Sequence, residues 1–353
     1  MKTRTLGRTG LEVGILGLGT EYLDGQDAET YERVLRTAVD GGVNYIDVLF
    51  SYADYRDRLG AAMRGIRESF VVTGHIGCAE TNGQYRKTRD IDECETLFGD
   101  LLQRLGTDRV EIVMVQFVDT AKDYERIMSS GGLYELAQRL CREGKARHIG
   151  ISIHEYALAE EAARSDGFDV IMYPLGIILS PIPRDDFLTF CEQNRVGVVA
   201  MKPFGGGRIF RYADSLGTNP SRLIGYPLLD SRVSTVIPGV KSQREMEQAI
   251  EGIDTAPDPG EFARYAEQIL TAGKGDCVYC NHCLPCPVEI NIGETLMLLD
   301  SAGDKDSQEI RDSYEELSVK ASACTACSVC ETRCPFDVSV IEKMEQAVKL
   351  FGS

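Results

Sequence analysis

Eight of the twelve cysteines lie in two short clusters near the end of the chain, where their spacing could hold metal. The later cluster has intervals of two, two and three residues and a proline after its last cysteine; its members are Cys324, Cys327, Cys330 and Cys334. The earlier cluster has two residues in every interval; its members are Cys277, Cys280, Cys283 and Cys286. The later spacing is that of the bacterial [4Fe–4S] motif, in which closely spaced thiolates bind three corners of a cubane.

The fourth ligand of each cubane must come from elsewhere, and in two-cluster ferredoxins it comes from the other motif. We therefore predict two [4Fe–4S] clusters. One is held by Cys277, Cys280, Cys283 and Cys334, and the other by Cys324, Cys327, Cys330 and Cys286. Zinc is the alternative, but zinc sites typically use two Cys-x2-Cys pairs that lie well apart. The intervals therefore favour iron–sulfur over zinc.

Composition limits the partners and the location of the protein. The 353 residues carry a net charge of −17 at pH 7, and an acidic surface repels nucleic acid and anionic membranes. No apolar run reaches the roughly 18 residues of a membrane span, and the first residues lack the apolar stretch of a signal peptide. We therefore expect a cytoplasmic protein without a nucleic-acid or membrane partner, whose reduced thiols bind metal rather than form disulfides.

Short apolar, β-branched runs alternate with helical periodicity through the first 255 residues. The apolar runs cover residues 12–19, 42–48, 69–74, 110–116, 147–153, 169–174, 196–201 and 233–238. The helical stretches cover residues 28–40, 90–105, 131–144, 184–194 and 243–252. Runs that are apolar throughout are typical of parallel strands buried on both faces. Eight such runs within about 250 residues predict a closed (β/α)8 barrel.

The predicted fold is therefore α/β, with two parts. A (β/α)8 TIM barrel covers residues 1–255, a linker and helix cover 256–275, and a small, mainly helical ferredoxin-like two-cluster domain covers 276–353. An open, doubly wound sheet is the alternative to the barrel. It usually carries Gly-x-Gly-x-x-Gly after its first strand, whereas this chain reads GLGTEYL at 17–23.

Several segments resemble the aldo-keto reductases, in particular the branch with a C-terminal ferredoxin-like domain. They are TRTLGRTGLEVGILGLGT (3–20), GGVNYIDVLFSYADYRDRLGAAM (41–63), LLQRLGTDRVEIVMVQ (101–116), GKARHIGIS (144–152), VVAMKPFGGGRI (198–209) and VSTVIPGVKS (233–242). The resemblance implies an NAD(P)H-dependent reductase whose cofactor, NADP(H) or NAD(H), lies across the barrel mouth. It implies cofactor contacts from Lys202, Gly205, Gly206, Gly207, Pro238, Gly239, Lys241 and Ser242. It also implies a substrate or amide contact at His154.

The resemblance further implies a catalytic tetrad of aspartate, tyrosine, lysine and histidine. Asp47 and Tyr52 match the first two members. Gly74 stands at the expected lysine position with His75 beside it, and Gln116 stands where the histidine is expected. Tyr52 can still act as a general acid. His75 can supply the missing cation or be a packed loop histidine, and Gln116 can orient a carbonyl without moving a proton.

Two kinds of chemistry and one non-catalytic function fit these residues. In the first, the barrel reduces a carbonyl or conjugated C=C bond of a small molecule with hydride from NAD(P)H. In the second, the clusters feed single electrons into the barrel mouth for a step such as dehydroxylation, with Tyr52 and His75 as proton donors. The third is an electron-transfer subunit without its own substrate. A ferredoxin or another redox protein is a further expected partner.

Overall fold

The structure is a computed structural model that describes residues 1–81, 83–118, 120–154, 156–177, 179, 185–211, 217–269, 275, 277, 283–305, 307–334 and 337–352. Its strands are β1 (Thr3–Thr5), β2 (Glu12–Gly14), β3 (Leu18–Gly19), β4 (Tyr45–Val48), β5 (Val71–Ile76), β6 (Cys78–Thr81), β7 (Gln84–Lys87), β8 (Val110–Val118), β9 (Ala146–Ile153), β10 (Val170–Pro174), β11 (Gly197–Met201) and β12 (Val233–Ile237). Its α-helices are α1 (Ala28–Asp40), α2 (Ala53–Met63), α3 (Ile91–Leu105), α4 (Ala121–Met128), α5 (Leu133–Arg142), α6 (Tyr156–Arg164), α7 (Asp185–Gln193), α8 (Gln243–Asp254), α9 (Pro259–Ile269), α10 (Ile292–Lys305), α11 (Gln308–Glu316), α12 (Val329–Arg333) and α13 (Val340–Phe351).

A parallel sheet of eight strands forms the barrel. The strands lie in the order β12-β11-β10-β9-β8-β5-β4-β3, and the neighbouring pairs are parallel. Parallel bridges from Leu16 to Val236 and from Gly19 to Gly239 join the first and last strands. The predicted (β/α)8 barrel is thus confirmed, and the open-sheet alternative is wrong.

Each predicted apolar run overlaps a barrel strand, but the first run divides in two. Its beginning forms β2, which pairs antiparallel with β1, and only Leu18–Gly19 joins the barrel sheet. The β1–β2 ribbon contributes Leu6 and Val13 to the buried cluster inside the barrel. The barrel side chains of that cluster are Tyr45, Ile112, Met114, Val170, Met172, Val199, Met201 and Ile237. The base of the barrel is therefore a packed core, and a ligand must bind at the opposite end, where the strands' carboxyl ends meet.

Side-chain caps define where two of the predicted helices begin. Asp27 accepts a hydrogen bond from the Thr30 amide at the start of α1, and Asp90 accepts one from the Glu93 amide at the start of α3. Such acceptors satisfy amides that have no partner within the first helical turn. Both helices match their predicted stretches to within one residue.

The sequence reasoning missed the β6–β7 hairpin, which follows β5 at the mouth of the barrel. Its two strands pair antiparallel from Cys78 opposite Lys87 to Thr81 opposite Gln84. In the sequence, the dipeptide Asn82-Gly83 separates these strands, and Asn-Gly is the strongest short-range signal for a tight hairpin loop. That dipeptide is the sequence signal for this hairpin.

The C-terminal helices pack around a second hydrophobic core. Leu296 of α10, Tyr314 of α11 and Met344 of α13 are among its fully buried members. Cysteines from both sequence clusters belong to this core or border it, namely Cys277, Cys283, Cys286, Cys324, Cys330 and Cys334. The described part of this region is mainly helical, whereas the ferredoxin-like domain and its boundary at residue 276 stay predictions. Within the described ranges, no helix is both long enough and apolar enough to cross a bilayer.

Arg56 of α2 anchors the loop that follows β4. Its side chain is buried, and it donates hydrogen bonds to the carbonyl oxygens of Phe50 at 2.9 Å and Leu97 at 2.7 Å. It also forms an ion pair with Asp100 of α3 at 2.9 Å. Burial, the larger effect, lowers the pKa of Arg56, and the hydrogen bond to Asp100 opposes that shift. The loop after β4 is therefore fastened to two helices by one side chain.

Replacing Arg56 by methionine should lower the free energy of unfolding by about 3 kcal/mol, because three acceptors lose their buried donor. Urea unfolding measures the change. Arg36→Met is the control, since it removes an exposed pair with Glu32 and should change stability by less than about 0.5 kcal/mol. Equal losses in the two variants would contradict an anchoring function for Arg56.

Candidate active site

Asp47 and His75 form a buried pair at the mouth of the barrel. Asp47 lies on β4 and His75 on the neighbouring parallel strand β5. The His75 Nε2 is 2.7 Å from the Asp47 Oδ1, and the two side chains are 1% and 8% exposed, respectively. The carboxylate therefore holds the imidazole in one orientation.

Strand alternation decides which residue of the Gly74–His75 pair faces the mouth. A side chain at Gly74 would collide with Leu101 of α3, so that position faces outward. The next residue, His75, faces inward to Asp47, because successive strand residues point to opposite sides. Gly74 therefore faces outward, whereas His75 belongs to β5 and contacts Asp47, so the alternative of a packed loop histidine is wrong.

Gln116 lies close to His75, because β5 and β8 pair with His75 opposite Met114. The Gln116 Nε2 donates a hydrogen bond to the Tyr85 hydroxyl of the β6–β7 hairpin. The Gln116 Oε1 and the His75 Nδ1 are buried and have no hydrogen-bond partner among the described residues. A buried polar atom without a partner costs about 1–3 kcal/mol. These two atoms therefore favour a polar ligand at the mouth.

Tyr52 lies at the N-cap position of α2, in the loop that Arg56 anchors. Its ring stacks on Phe50, with the ring centroids 4.8 Å apart. Burial and, after it, the negative charges of Asp24 and Glu80 raise the pKa of the Tyr52 hydroxyl above its ordinary value of 10.0. Tyr52 is therefore protonated near neutral pH and able to donate a proton or a hydrogen bond.

Lys202, His154 and Glu21 form a second ionisable group of side chains at the mouth. Lys202 follows β11 with a φ of 56°, and its Nζ donates to the His154 Nε2 at 3.0 Å. Burial and then the Lys202 charge lower the pKa of His154 well below 6.5, so the imidazole is neutral. Burial raises the pKa of the Glu21 carboxyl, and Lys202 partly offsets this. Sequence reasoning missed Glu21, although its place just after barrel strand β3 is where functional side chains are expected.

Three consecutive glycines follow Lys202 and have a backbone conformation that other residues rarely adopt. Gly205, Gly206 and Gly207 have φ angles of 59°, 67° and 90°. Side chains are strained in this left-handed region, so glycine here leaves the backbone open to close approach by an anion. The cofactor contact expected at these glycines stays a prediction.

The last barrel loop serves structural functions as well. The carbonyl of Pro238 accepts a backbone hydrogen bond from β3, and Gly239 forms one of the bridges that close the barrel. The Ser242 hydroxyl caps α8 by accepting from the Glu245 amide at 3.2 Å. Lys241 is exposed. Of the residues predicted here to bind phosphate, Lys241 therefore offers an exposed positive charge, and Ser242 is already used as a helix cap.

Four of the predicted iron ligands line one cavity beside the C-terminal helices. They are Cys286, Cys324, Cys327 and Cys330. Most of the remaining lining is apolar: Pro287, Val288, Ile290, Ile292, Val340, Ile341 and Met344. This is the set that the sequence assigns to a single cluster, although Cys286 belongs to the other sequence motif. Folding thus brings a residue of one motif to the three closely spaced cysteines of the other.

The second predicted set is only partly described. Cys277 is buried, and Cys283 and Cys334 are partly buried against the same hydrophobic core. Cys280 lies outside the described residues. In the part of the chain that the structure describes, no three Cys, His, Asp or Glu side chains come together closely enough to hold a metal ion.

The closed barrel of eight parallel strands places the protein among the TIM-barrel proteins. The Aldo/keto reductase family matches residues 11–223 of the sequence, which is more than half of the chain. The chain therefore belongs to the aldo/keto reductase family.

Relatives agree with this assignment. The chain is similar to pyridoxal 4-dehydrogenase of Microbacterium luteolum, with 22% identity over 316 residues that cover 70% of this chain and 91% of that protein. It is similar to an aldehyde reductase of Saccharomyces cerevisiae, with 25% identity over 239 residues that cover 61% of this chain and 75% of that protein. It shares its fold with an aldo-keto reductase from Bacillus halodurans in its holo form, with a TM-score of 0.65, 20% identity, and coverage of 77% of this chain and 97% of that chain. The protein is an oxidoreductase of the aldo-keto reductase type.

The neutral His154 should make the protein less stable in acid. In the unfolded chain, its imidazole takes up a proton near pH 6.5, whereas in the folded protein it resists protonation. The unfolded state then binds more protons, so the free energy of unfolding falls as pH falls below about 6.5, by up to about 1.4 kcal/mol per pH unit from this residue. Urea unfolding between about pH 5 and pH 7 should show a smaller slope in His154→Gln. An unchanged slope would contradict a neutral His154.

Proposed function

We propose that the protein is an iron–sulfur oxidoreductase that uses NAD(P)H to reduce a carbonyl or conjugated C=C bond in a small molecule. The observation that carries this proposal is the Asp47–His75 pair, buried in the barrel mouth at the end of the strand that leads to Tyr52. This pair supplies an oriented imidazole on the inner face of the barrel. Gly74, the residue before His75 on β5, faces outward. The mouth therefore has a proton donor and an oriented polar group on neighbouring elements.

NAD(P)H supplies a hydride when it is bound across the mouth. Tyr52 would donate a proton to the carbonyl oxygen, so that hydride addition to the carbonyl carbon would give an alcohol. Its raised pKa keeps that proton available near neutral pH. His75, held at Nε2 by Asp47, presents Nδ1 to a polar group of the substrate, and Gln116 presents Oε1. Both interactions position the substrate, and neither requires the glutamine to move a proton.

The loops after β11 and β12 would bind the cofactor phosphates. The left-handed backbone of Gly205–Gly207 allows close approach of an anion, and Lys241 supplies an exposed positive charge. Lys202 would act nearer the chemistry, because its amine contacts His154 at the mouth. Use of NADP(H) rather than NAD(H) would depend on Lys241, because this exposed cation on the last barrel loop would bind the 2′-phosphate.

Cys286, Cys324, Cys327 and Cys330 would hold one [4Fe–4S] cluster, and Cys277, Cys280, Cys283 and Cys334 the other. The support for the first cluster is that its four cysteines line one cavity whose other walls are mostly apolar. The intervals between the cysteines favour iron–sulfur over zinc. When bound, the clusters supply electrons one at a time.

A second candidate function is reductive chemistry by single electrons, such as dehydroxylation. The contact that favours it is a 3.3 Å hydrogen bond from the Cys286 amide to the Gln84 side chain, which joins the cysteine region to the barrel mouth. The reaction would consume two electrons and two protons, convert a C–OH group to C–H and release water, with Tyr52 and His75 as the proton donors. A reduced ferredoxin or another redox protein would provide the electrons.

Replacing Tyr52 by phenylalanine should lower kcat/KM at least about 100-fold, because the general acid is lost. The substrates to assay are a panel of aldehydes that includes pyridoxal, together with conjugated enones, in anaerobic protein with NADPH. Tyr134→Phe is the control, since Tyr134 packs against Phe168 away from the mouth and should retain activity. Unchanged turnover in Tyr52→Phe would show that the site is misplaced. Turnover with reduced ferredoxin but never with NADPH would favour the second function.

Anaerobically purified protein should contain about eight iron and eight sulfide per chain, as two [4Fe–4S] clusters require. Cys286→Ser should lose about half of that iron, because it removes one ligand of one cluster. Cys141→Ser, on α5 in the barrel, should keep all of it. Metal and sulfide analysis decides the matter, and stoichiometric zinc in place of iron would exclude the iron–sulfur proposal.

A further inference from the structure

The β6–β7 hairpin touches both the cysteine region and the barrel mouth through two adjacent residues. The Gln84 Oε1 accepts a hydrogen bond from the Cys286 amide at 3.3 Å. The next residue, Tyr85, is buried and points to the other side of the hairpin, because side chains alternate along a strand. The hairpin is therefore a bridge of covalently linked residues between two distant segments of the chain.

Tyr85 is fastened to the mouth by a hydrogen bond and two rings. Its hydroxyl accepts from the Gln116 Nε2. Its ring lies 4.6 Å from Phe117 and 5.3 Å from Phe50, measured between centroids. Phe50 in turn stacks on Tyr52. A change at Gln116 or Tyr52 is therefore transmitted to Tyr85 through packed side chains.

We propose that Gln84 is a positioning residue that couples the barrel mouth to the cysteine site, so that the reduction potential at Cys286 depends on the position of the hairpin. This inference rests on the proposed binding of a cluster by Cys286. The potential of such a site is set largely by hydrogen bonds to its sulfurs and by solvent exposure. The Gln84 side chain accepts the hydrogen bond of the Cys286 amide. That N–H group therefore does not donate to a sulfur of the cluster. A ligand at the mouth that moves Tyr85 therefore changes the reduction potential of the cluster. Because coupling between two sites is reciprocal, the redox state of the cluster changes the affinity of the mouth for that ligand.

Gln84→Leu and Gln84→Glu provide opposite tests. Leucine removes the acceptor, frees the Cys286 amide to approach sulfur and should raise the midpoint potential of one cluster. Glutamate keeps the acceptor and adds a negative charge, so it should lower that potential. The other cluster should be unaffected in both variants. The potentials are measured by anaerobic redox titration followed by electron paramagnetic resonance, with Gln346→Leu, an exposed residue of α13, as the control.

Coupling to the mouth is tested by Tyr85→Phe, which removes the hydroxyl and keeps the ring. It should shift the same potential, and the shift should disappear in the Gln84→Leu background, because the connection is already broken. The proposal is overturned if Gln84→Leu and Gln84→Glu leave both potentials unchanged while the iron content remains complete. It is also overturned, together with the proposed function, if the wild-type protein holds no iron. Iron content therefore distinguishes failure of this inference from failure of the function beneath it.

Discussion

The hydrogen bond between Asp47 and His75 is the contact on which the organisation of the mouth depends. It exists because β4 and β5 are parallel neighbours and because both side chains fall on the inner face of the barrel. With both groups buried, the imidazole is held at Nε2, and its Nδ1 is turned to a space without a protein partner among the described residues. A one-residue shift of β5 would replace the imidazole by Gly74 and leave the Asp47 carboxylate buried alone, which is costly.

The mouth holds a tyrosine hydroxyl that keeps its proton and a histidine imidazole that does not take one up. Burial and nearby acids keep Tyr52 protonated, whereas burial and Lys202 keep His154 neutral. Near neutral pH, the Tyr52 hydroxyl is therefore able to donate, and the His154 imidazole accepts a hydrogen bond from Lys202. The resemblance to the aldo-keto reductases implies a lysine and a histidine beside the tyrosine. On the strands next to β4 and β5 at this mouth, the structure places His75 against Asp47 and Gln116 against Tyr85.

The cysteine region is a second candidate chemical centre, and it lies beyond the family match, which ends at residue 223. Its four cavity-lining cysteines sit on a helical core of their own, and the β6–β7 hairpin joins that core to the barrel. Such a bridge would make the two centres thermodynamically dependent on each other, even if they bind different ligands. Whether hydride or single-electron chemistry takes place, the hairpin is the element through which the two would communicate.

Local patterns in the sequence determined the elements. Runs that are apolar throughout predicted the barrel strands, helical periodicity predicted helices such as α1 and α3, and the intervals from Cys324 to Cys330 predicted the cysteine motif. Contacts between distant residues were decided only by the tertiary structure. The facing of Gly74 and His75, the approach of Lys202 to His154, and the bond from Gln84 to Cys286, which are 202 residues apart, are of this kind. The physical reason is that periodicity and capping act within a few residues, whereas side-chain facing and long-range pairing depend on strand register and on how the helices and loops pack against the closed barrel.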